Sequence, residues 1–249
     1  MTALAIPAPA KVNLWLRVLA RRPDGNHEVE TLMQTISLHD LLIAEKAEVT
    51  TLTCSGLAVS TADDNLVLRA AAALEAATGR ALPARFHLVK RIPIGAGLGG
   101  GSSDAAAALR ALASLYDVQI PLQPIAADLG ADVAFFLQGG GAAIGVGRGE
   151  RLRSVSLPRK WIALAWPGFE VSTARVYKAW DRVGGSDPNH LWLAAQAVEP
   201  RLAAFAAHLG PGWRMTGSGS AFFRECSNQA EAEASVAGLE CWTAVTRSV

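Results

Sequence analysis

The sequence lacks the features that mark several common classes of protein. Its three cysteines, Cys54, Cys226 and Cys241, form no CxxC pair, which argues against a zinc site and against a disulfide framework. Reduced thiols of this kind suit a cytoplasmic protein. Lys and Arg total 23 against 22 Asp and Glu, so the net charge of +1 gives no strong field that would draw the chain to nucleic acid or to an anionic membrane.

Long apolar runs and the best-known nucleotide motifs are also missing. The apolar run from Trp161 to Trp166 stops at Pro167, and it is too short to span a bilayer. We expect no signal peptide, because Pro7 and Pro9 interrupt the apolar N-terminal residues. No GxxxxGK(S/T) loop and no HRD or DFG set occurs, which excludes the P-loop and protein-kinase classes.

The chain does have a regular order of predicted strands and helices. Alternating or β-branched segments predict strands at 11–19, 41–53, 85–90, 161–166, 213–216, 221–224 and 242–245. Caps and alanine-rich stretches predict helices at 65–78, 105–115, 123–129, 173–181, 190–208 and 229–237. In the last third of the chain the predicted order is βαββαβ with an extra helix, which is the order of a ferredoxin-like unit. We therefore predict two domains, 1–155 and 156–249.

A glycine-rich segment, PIGAGLGGGSSD at 93–104, stands between a predicted strand and a predicted helix. Backbone amides can converge there on an anion, and glycines allow close approach and positive φ angles. A flexible turn before a capped helix is the alternative, but five glycines in the seven residues 95–101 exceed any capping need. The residues predicted to bind ATP here are Pro93, Gly95, Gly97, Leu98, Gly99, Gly100, Gly101, Ser102 and Ser103, with the two serines also able to reach Mg²⁺.

The segment 93–109, PIGAGLGGGSSDAAAAL, resembles the central motif of the GHMP kinases. Further family motifs are matched in the same order by PAKVNL at 9–14, RPDGNHEVET at 22–31, DNLV at 64–67, LGADV at 129–133 and TGSG at 216–219. Five ordered matches besides the loop are far more specific than the loop alone, and they span nearly the whole chain.

The resemblance implies both a fold and an activity. The fold is α+β with two domains: an N-terminal domain like ribosomal protein S5, a ferredoxin-like C-terminal domain, and the active site in the cleft between them. The activity is that of a kinase that uses ATP and Mg²⁺ on a small alcohol. The extra glycines resemble the branch of the family that serves isoprenoid precursor synthesis, whose acceptor is a cytidine diphosphate derivative of methylerythritol.

Asp132 and Lys11 are the candidate catalytic pair. Phosphoryl transfer to an alcohol needs an acceptor held in line, positive charge around the transferring group, and often a carboxylate that accepts the hydroxyl proton. From its surroundings alone, Asp132 fits a structural ion pair equally well. The resemblance places the family's base on Asp132 and the base's partner lysine on Lys11. Asn13 would share a strand face with Lys11 and could hydrogen-bond the acceptor.

The remaining site residues come from the resemblance. It implies that His27 hydrogen-bonds the cytosine, that Tyr177 stacks on this base and that Thr173 lines the same pocket. Without the resemblance, His27 fits an ordinary turn histidine. Asn65 and Lys90 match positions near the adenine, although a helix cap and a solvated charge explain them equally well.

One position departs from the family pattern. Asn26 stands where the family usually has a tyrosine that stacks on the second face of the cytosine, and loss of one stacking face costs on the order of 1 kcal/mol. Asn26 therefore leaves open a GHMP kinase for another alcohol or phosphate. A nucleotide-binding protein without catalysis is a third possibility, which the presence of both Lys11 and Asp132 disfavours. Asp104, beside the phosphate loop, could approach Mg²⁺ or point away.

Overall fold

The computed structural model describes residues 3–249, and its backbone contacts divide the chain into two compact units. Of the described residues, the first unit comprises 3–10, His39–Pro93 and Gly99–Gly140, and the second comprises Lys11–Leu38, Ile94–Leu98 and Gly141–Val249. The long strands β1 (Leu4–Arg21) and β2 (His27–Lys46) contribute residues to both units. The two units thus alternate along the chain, while the boundary near residue 155 between consecutive domains stays a prediction.

The strands of the first unit have the order β3-β4-β2. Strand β3 (Thr51–Gly56) runs parallel to β4 (Ala84–Lys90), whereas β2 runs antiparallel to β4. The prediction of a single strand over 41–53 is wrong. Strand β3 has to run opposite to β2, so the chain turns at residues 47–50 between them.

Four helices, which pack on one another, complete the first unit: α1 (Leu66–Thr78), α2 (Gly100–Tyr116), α3 (Gln123–Leu129) and α4 (Ala131–Leu137). The predicted caps of α1 are confirmed, since the Asn65 side chain accepts from the Val67 amide and Gly79 ends the helix in the left-handed conformation. Helix α2 begins five residues earlier than predicted, at Gly100. Helix α4 was not predicted, because seven residues are too few for a clear helical period.

In the second unit, residues of β2 pair with two strands that the sequence did not predict. Strand β5 (Ala142–Gly147) runs antiparallel to β2, and β6 (Arg151–Val155) runs antiparallel to β5. Strand β5 was not predicted because it contains glycines, which are uncommon in strands. A Cβ at Gly145 would lie 2.7 Å from the carbonyl oxygen of Gly149, so glycine is required here by close backbone approach within the sheet rather than by a turn.

The remaining strands of the second unit form an antiparallel sheet with the order β10-β7-β9-β8. Its strands are β7 (Trp161–Trp166), β8 (Arg214–Met215), β9 (Phe222–Cys226) and β10 (Trp242–Arg247). The helices are α5 (Thr173–Val183), α6 (Trp192–Val198), α7 (Arg201–Leu209) and α8 (Gln229–Val236). The predicted ferredoxin-like order of elements is confirmed. The one extra helix predicted over 190–208 is instead two helices, α6 and α7, which are separated at Glu199 and Pro200.

The hydrophobic core of the second unit joins residues that are distant in sequence. Leu16 and Val29, from β1 and β2, pack in one cluster with Val176, Leu191 and Phe222. This shared core explains why residues 11–38 belong to the same unit as the C-terminal half of the chain. Within residues 3–249, no helix has the length and apolar character needed to cross a membrane.

Candidate functional site

The glycine loop adopts the backbone conformations that its composition predicts. Gly95, Gly97 and Gly99 have φ angles of 61°, 76° and 71°, a region that favours glycine. At Gly97 a side chain is excluded by space as well, because its Cβ would lie 2.4 Å from the carbonyl oxygen of Thr216.

The loop leads directly into the N-terminus of α2. The N-cap of this 17-residue helix is Gly99, and no side chain of residues 3–249 caps it. The amide groups of its first turn have no intrahelical acceptor, and with the helix dipole they favour an anion. The loop and the start of α2 thus have the properties of a phosphate site.

A buried ionic network lies under the first turn of α2. The Lys90 ammonium, 3% exposed, donates to Asp40 and, over 2.7 Å, to Oδ2 of Asp104. A Cβ at Gly100 would lie 2.9 Å from Nζ of Lys90, so a side chain at Gly100 would press on this network. The interpretation of Lys90 as a solvated charge is therefore wrong. The network also shows where Asp104 points: one of its carboxylate oxygens is turned towards Lys90.

Two carboxylates share one ammonium in this network, which governs their protonation. The pKa of Asp104 is raised to about 7, chiefly by burial and further by Asp40, while Lys90 opposes the shift. Burial lowers the pKa of Lys90, but the two carboxylates outweigh it and raise this pKa above its ordinary value. A proton on Asp104 would reduce the negative charge that faces Lys90.

Two further polar atoms near the start of α2 are notable. Among the described residues, neither Oγ of Ser103 nor Oδ1 of Asp104 has a hydrogen-bond partner, and both atoms are buried. Buried polar atoms are normally paired, so an orphaned hydroxyl in the first turn of the helix that follows the glycine loop fits a ligand at this position. The residues present are therefore compatible with bound nucleotide and Mg²⁺.

Asp132 and Asn65 also lie in the first unit. Asp132 is partly exposed in the first turn of α4. Asn65 is the N-cap of α1: its Oδ1 accepts from the Val67 amide over 2.9 Å and its amide nitrogen donates to the Ser60 carbonyl over 2.6 Å. The capping role of Asn65 is thus confirmed, and a contact with adenine stays a prediction.

In the second unit, Lys11 and Asn13 form one hydrogen-bonded group with the glycine loop. Nζ of Lys11 donates to Oδ1 of Asn13 over 2.6 Å and to the Gly97 carbonyl over 2.9 Å. The amide nitrogen of the Asn13 side chain donates to Oγ1 of Thr31, and the Asn13 backbone amide donates to Oγ1 of Thr216. The two threonines were not predicted as site residues, although both lie in segments that match family motifs.

His27 lies in an aromatic group with residues of α5. Its Nε2 is 2.7 Å from Oδ1 of Asp181, and the ring is 8% exposed. The Tyr177 ring centroid is 5.0 Å from that of His27 at an interplanar angle of 30°, and Trp180 packs edge-on at 5.6 Å. Sequence reasoning missed Asp181 and Trp180. Helical spacing was the available signal, since Asp181 follows Tyr177 by four residues and so lies on the same helix face.

Thr173 and Asn26 have local partners in the second unit. Oγ1 of Thr173 lies 2.8 Å from Oγ of Ser218. Asn26 is exposed in the turn between β1 and β2, where its amide donates to Asp24 and its carbonyl accepts from the Arg22 amide. Asn26 therefore helps to close this turn.

Comparison with known sequences finds relatives over most of the chain. Residues 65–140 match the family model described as GHMP kinases N terminal domain. A protein of Salinibacter ruber is 46% identical over 75% of this chain and 68% of its own length. A protein of Shewanella sp. (strain MR-4) is 38% identical over 94% of this chain and 88% of its own length. Both carry the name 4-diphosphocytidyl-2-C-methyl-D-erythritol kinase.

Solved structures give the same grouping. The crystal structure of a 4-(cytidine 5'-diphospho)-2C-methyl-D-erythritol kinase matches with a TM-score of 0.85 and 37% identity, covering 98% of this chain and 99% of that one. The mevalonate kinase of Methanococcus jannaschii matches with a TM-score of 0.68 at 13% identity, which shows the shared fold alone. The fold and the glycine loop are those of the GHMP kinase class. Within that class, the chain belongs to the family of the 4-diphosphocytidyl-2-C-methyl-D-erythritol kinases.

Proposed function

We propose that this protein transfers the γ-phosphoryl group of ATP to the 2-hydroxyl of 4-diphosphocytidyl-2-C-methyl-D-erythritol, a step in the non-mevalonate route to isoprenoid precursors. The observation that carries the proposal is the likeness, over nearly the whole chain, to a solved kinase for this substrate. The three cysteines are free thiols, which supports a cytoplasmic location for the reaction.

ATP is held by its phosphates at the glycine loop. The amides of the loop and of the first turn of α2 receive the phosphate oxygens, since this helix terminus has no side-chain cap. The hydroxyls of Ser102 and Ser103 would reach Mg²⁺, which when bound supplies positive charge to the phosphate oxygens. Lys90 supports the phosphate site indirectly, because its ammonium donates to Asp104 in α2. Asn65 caps the start of α1, which in this proposal lies near the adenine.

The acceptor hydroxyl is activated by Asp132, and Lys11 supplies positive charge to the transferring group. Asp132 lies in the first turn of α4, and its carboxylate is the group that accepts the hydroxyl proton in this proposal. The Lys11 ammonium is held by Asn13 and the Gly97 carbonyl, so little reorganisation is needed when charge develops on the phosphoryl oxygens. In this proposal Asn13 also orients the acceptor.

The cytidine end of the acceptor is held by side chains of the second unit. Tyr177 offers a ring face on which the base can stack, and the neighbouring His27 offers a ring nitrogen for a hydrogen bond. Thr173, at the start of α5, lines the same pocket.

A coupled assay of ADP release tests the reaction and the substrate together. We expect turnover with the cytidylated acceptor and little with its uncytidylated parent. Asp132→Asn and Lys11→Met should each lower kcat by ~100-fold or more with circular dichroism unchanged, because general-base and charge-stabilising groups contribute on that scale. Asp128→Asn, on the exposed surface of α3, is the matched control and should keep wild-type kcat.

Asn26 motivates a second candidate, a GHMP kinase for another alcohol or phosphate. The same assay with a panel of acceptors separates the two. A non-cytidylated compound with the highest kcat/KM would overturn the first proposal, and tight ATP binding without transfer to any acceptor would indicate a nucleotide-binding protein without catalysis.

A further inference from the structure

Three residues of helix α5 contact the His27 ring. Tyr177 and Trp180 pack against it at centroid distances of 5.0 and 5.6 Å, and Oδ1 of Asp181 lies 2.7 Å from its Nε2. Oδ2 of Asp181 faces Nε of Arg21 at 3.9 Å. The imidazole therefore has a fixed orientation, and one of its two nitrogens is already engaged.

The partner of Nε2 determines which nitrogen carries the proton. An ionised carboxylate only accepts hydrogen bonds, so a 2.7 Å contact with Asp181 requires the proton to be on Nε2. A neutral imidazole with its proton on Nε2 presents Nδ1 as a lone-pair acceptor. A carboxylate that fixes the tautomer of a functional histidine in this way is a recurrent arrangement in protein sites.

Cytosine and uracil differ in what they offer to such an acceptor. Cytosine carries an amino group at C4, a hydrogen-bond donor, whereas uracil carries a carbonyl oxygen there, an acceptor. An imidazole that presents Nδ1 as an acceptor pairs with the first group and is opposed by the lone pairs of the second.

We propose that Asp181 is a positioning residue for base specificity: it holds His27 in the tautomer whose Nδ1 accepts from the 4-amino group of cytosine, so that a uridine diphosphate acceptor is rejected. This inference rests on the proposed function, in which His27 contacts the base. Asp181 itself acts through His27 and does not touch the substrate.

The test compares two acceptors, the cytidylated substrate and its uridylylated counterpart, with wild-type protein and with Asp181→Ala. We expect the wild type to favour the cytidylated acceptor in kcat/KM. In Asp181→Ala the preference should fall by ~10-fold or more, the scale of one lost discriminating hydrogen bond. The change should appear in KM for the cytidylated acceptor, with kcat nearly unchanged. Asp181→Asn, whose side-chain carbonyl can still accept from Nε2, should lose less.

Asp187→Ala is the matched control. It removes an exposed carboxylate that pairs with Arg17 in the same unit, and it should keep the wild-type preference. A readout independent of turnover is the ¹⁵N NMR spectrum of the His27 ring, which should show a protonated Nε2 and an unprotonated Nδ1 in the wild type and a mixture in Asp181→Ala.

The outcomes separate this inference from the proposed function. If the wild type phosphorylates the cytidylated acceptor but Asp181→Ala keeps the same preference, the inference is wrong and the function stands. A protonated Nδ1 in the wild-type spectrum would also overturn the inference. If the wild type phosphorylates neither acceptor, the proposed function itself fails.

Discussion

Single residues of the ionic network under α2 determine its charge. Asp40 is fully buried and accepts hydrogen bonds from the Arg91 and Ile92 amides besides the one from Lys90. Asp104 accepts from Lys90 through Oδ2, and among the described residues its buried Oδ1 has no hydrogen-bond partner. The pKa of Asp104 is raised to about 7, chiefly by burial, so the proton on Asp104 makes the stability of the protein depend on pH.

Asp104→Asn should remove this dependence. The pKa of Asp104 is about 7 in the native state against 3.8 for the free group, so between those values the folded chain binds a proton that the unfolded chain has lost. The stability that this proton gives is complete below pH ~4 and is lost as the pH rises towards 7, with a slope of at most ~1.4 kcal/mol per pH unit. Asparagine imitates the protonated acid, so urea unfolding at pH 5, 6, 7 and 8 should show a flatter profile.

Asp187→Asn is the control for this measurement. The hydrogen bond and charge of Arg17 lower the pKa of Asp187, so its contribution to stability changes only below its ordinary pKa. The slope between pH 5 and 8 should therefore equal that of the wild type. An Asp104→Asn profile as steep as the wild-type profile would contradict the assignment of the proton.

At the scale of elements, the conformation of the glycine loop and the caps of the helices are each determined by a few neighbouring residues. The loop needs glycine at some positions for conformation and at others for space, and Gly97 needs it for both. The helices differ in their caps: α1 and α8 begin with asparagine side chains that bond backbone amides, whereas α2 begins with glycine. These differences allow function and stability to be tested separately.

Gly97→Ala should reduce activity much more than its backbone strain alone implies. The new methyl group would displace the Thr216 carbonyl, and it would disturb the Gly97 carbonyl that holds Lys11. We expect kcat/KM to fall by more than ~10-fold, since misplacement of a catalytic group by about 1 Å is costly. Gly79→Ala has a similar φ of 64° and open space, so it should cost ~1–2 kcal/mol of stability with normal kcat/KM. Equal kinetics of the two variants would show that the loop tolerates a side chain at Gly97.

Asn65→Ala tests whether Asn65 is only a cap. Loss of the cap should cost ~1 kcal/mol in the free energy of unfolding. Asn228→Ala removes the equivalent cap of α8, where the side chain accepts from the Glu231 amide, and it should cost a similar amount. If Asn65 also supports the adenine site, KM for ATP should rise in Asn65→Ala alone. Unchanged KM values in both variants would restrict Asn65 to its structural role.

At the scale of the whole molecule, the net charge of +1 is too small to attract ATP from a distance, so ATP must be bound by contacts at its site. A ligand that binds only the native chain raises the free energy of unfolding by mass action. Binding and catalysis can thus be measured on the same protein by different readouts.

ATP with Mg²⁺ should raise the midpoint of thermal unfolding in the absence of acceptor. At 100 times its Kd, the ligand adds ~2.7 kcal/mol to the free energy of unfolding. Asp132→Asn should keep this stabilisation, because its proposed role concerns the acceptor hydroxyl, while its turnover is lost. A wild-type protein that ATP does not stabilise would refute the phosphate site at the glycine loop.

The sequence by itself determined whatever depends on neighbouring residues. Helix α1 with both caps, the strand over 161–166, the positive φ angles of the glycine loop and the family motifs were all predictable, because caps, periods and backbone preferences act over a few residues. Elements without a clear local period were not predicted. These are the short helix α4 and the strand β5, in which glycine allows close approach of the backbone.

Only the tertiary structure decided which distant side chains meet. Asp40 and Lys90 are 50 positions apart, and His27 and Asp181 are 154 apart. No local pattern encodes such a pairing, because it forms only when separate strands and helices pack and bury the charges that must then find partners. Burial is the physical reason: it makes Lys90, which from the sequence alone fits a solvated charge, the centre of an ionic network, and it encloses the His27 ring beside the Asp181 carboxylate.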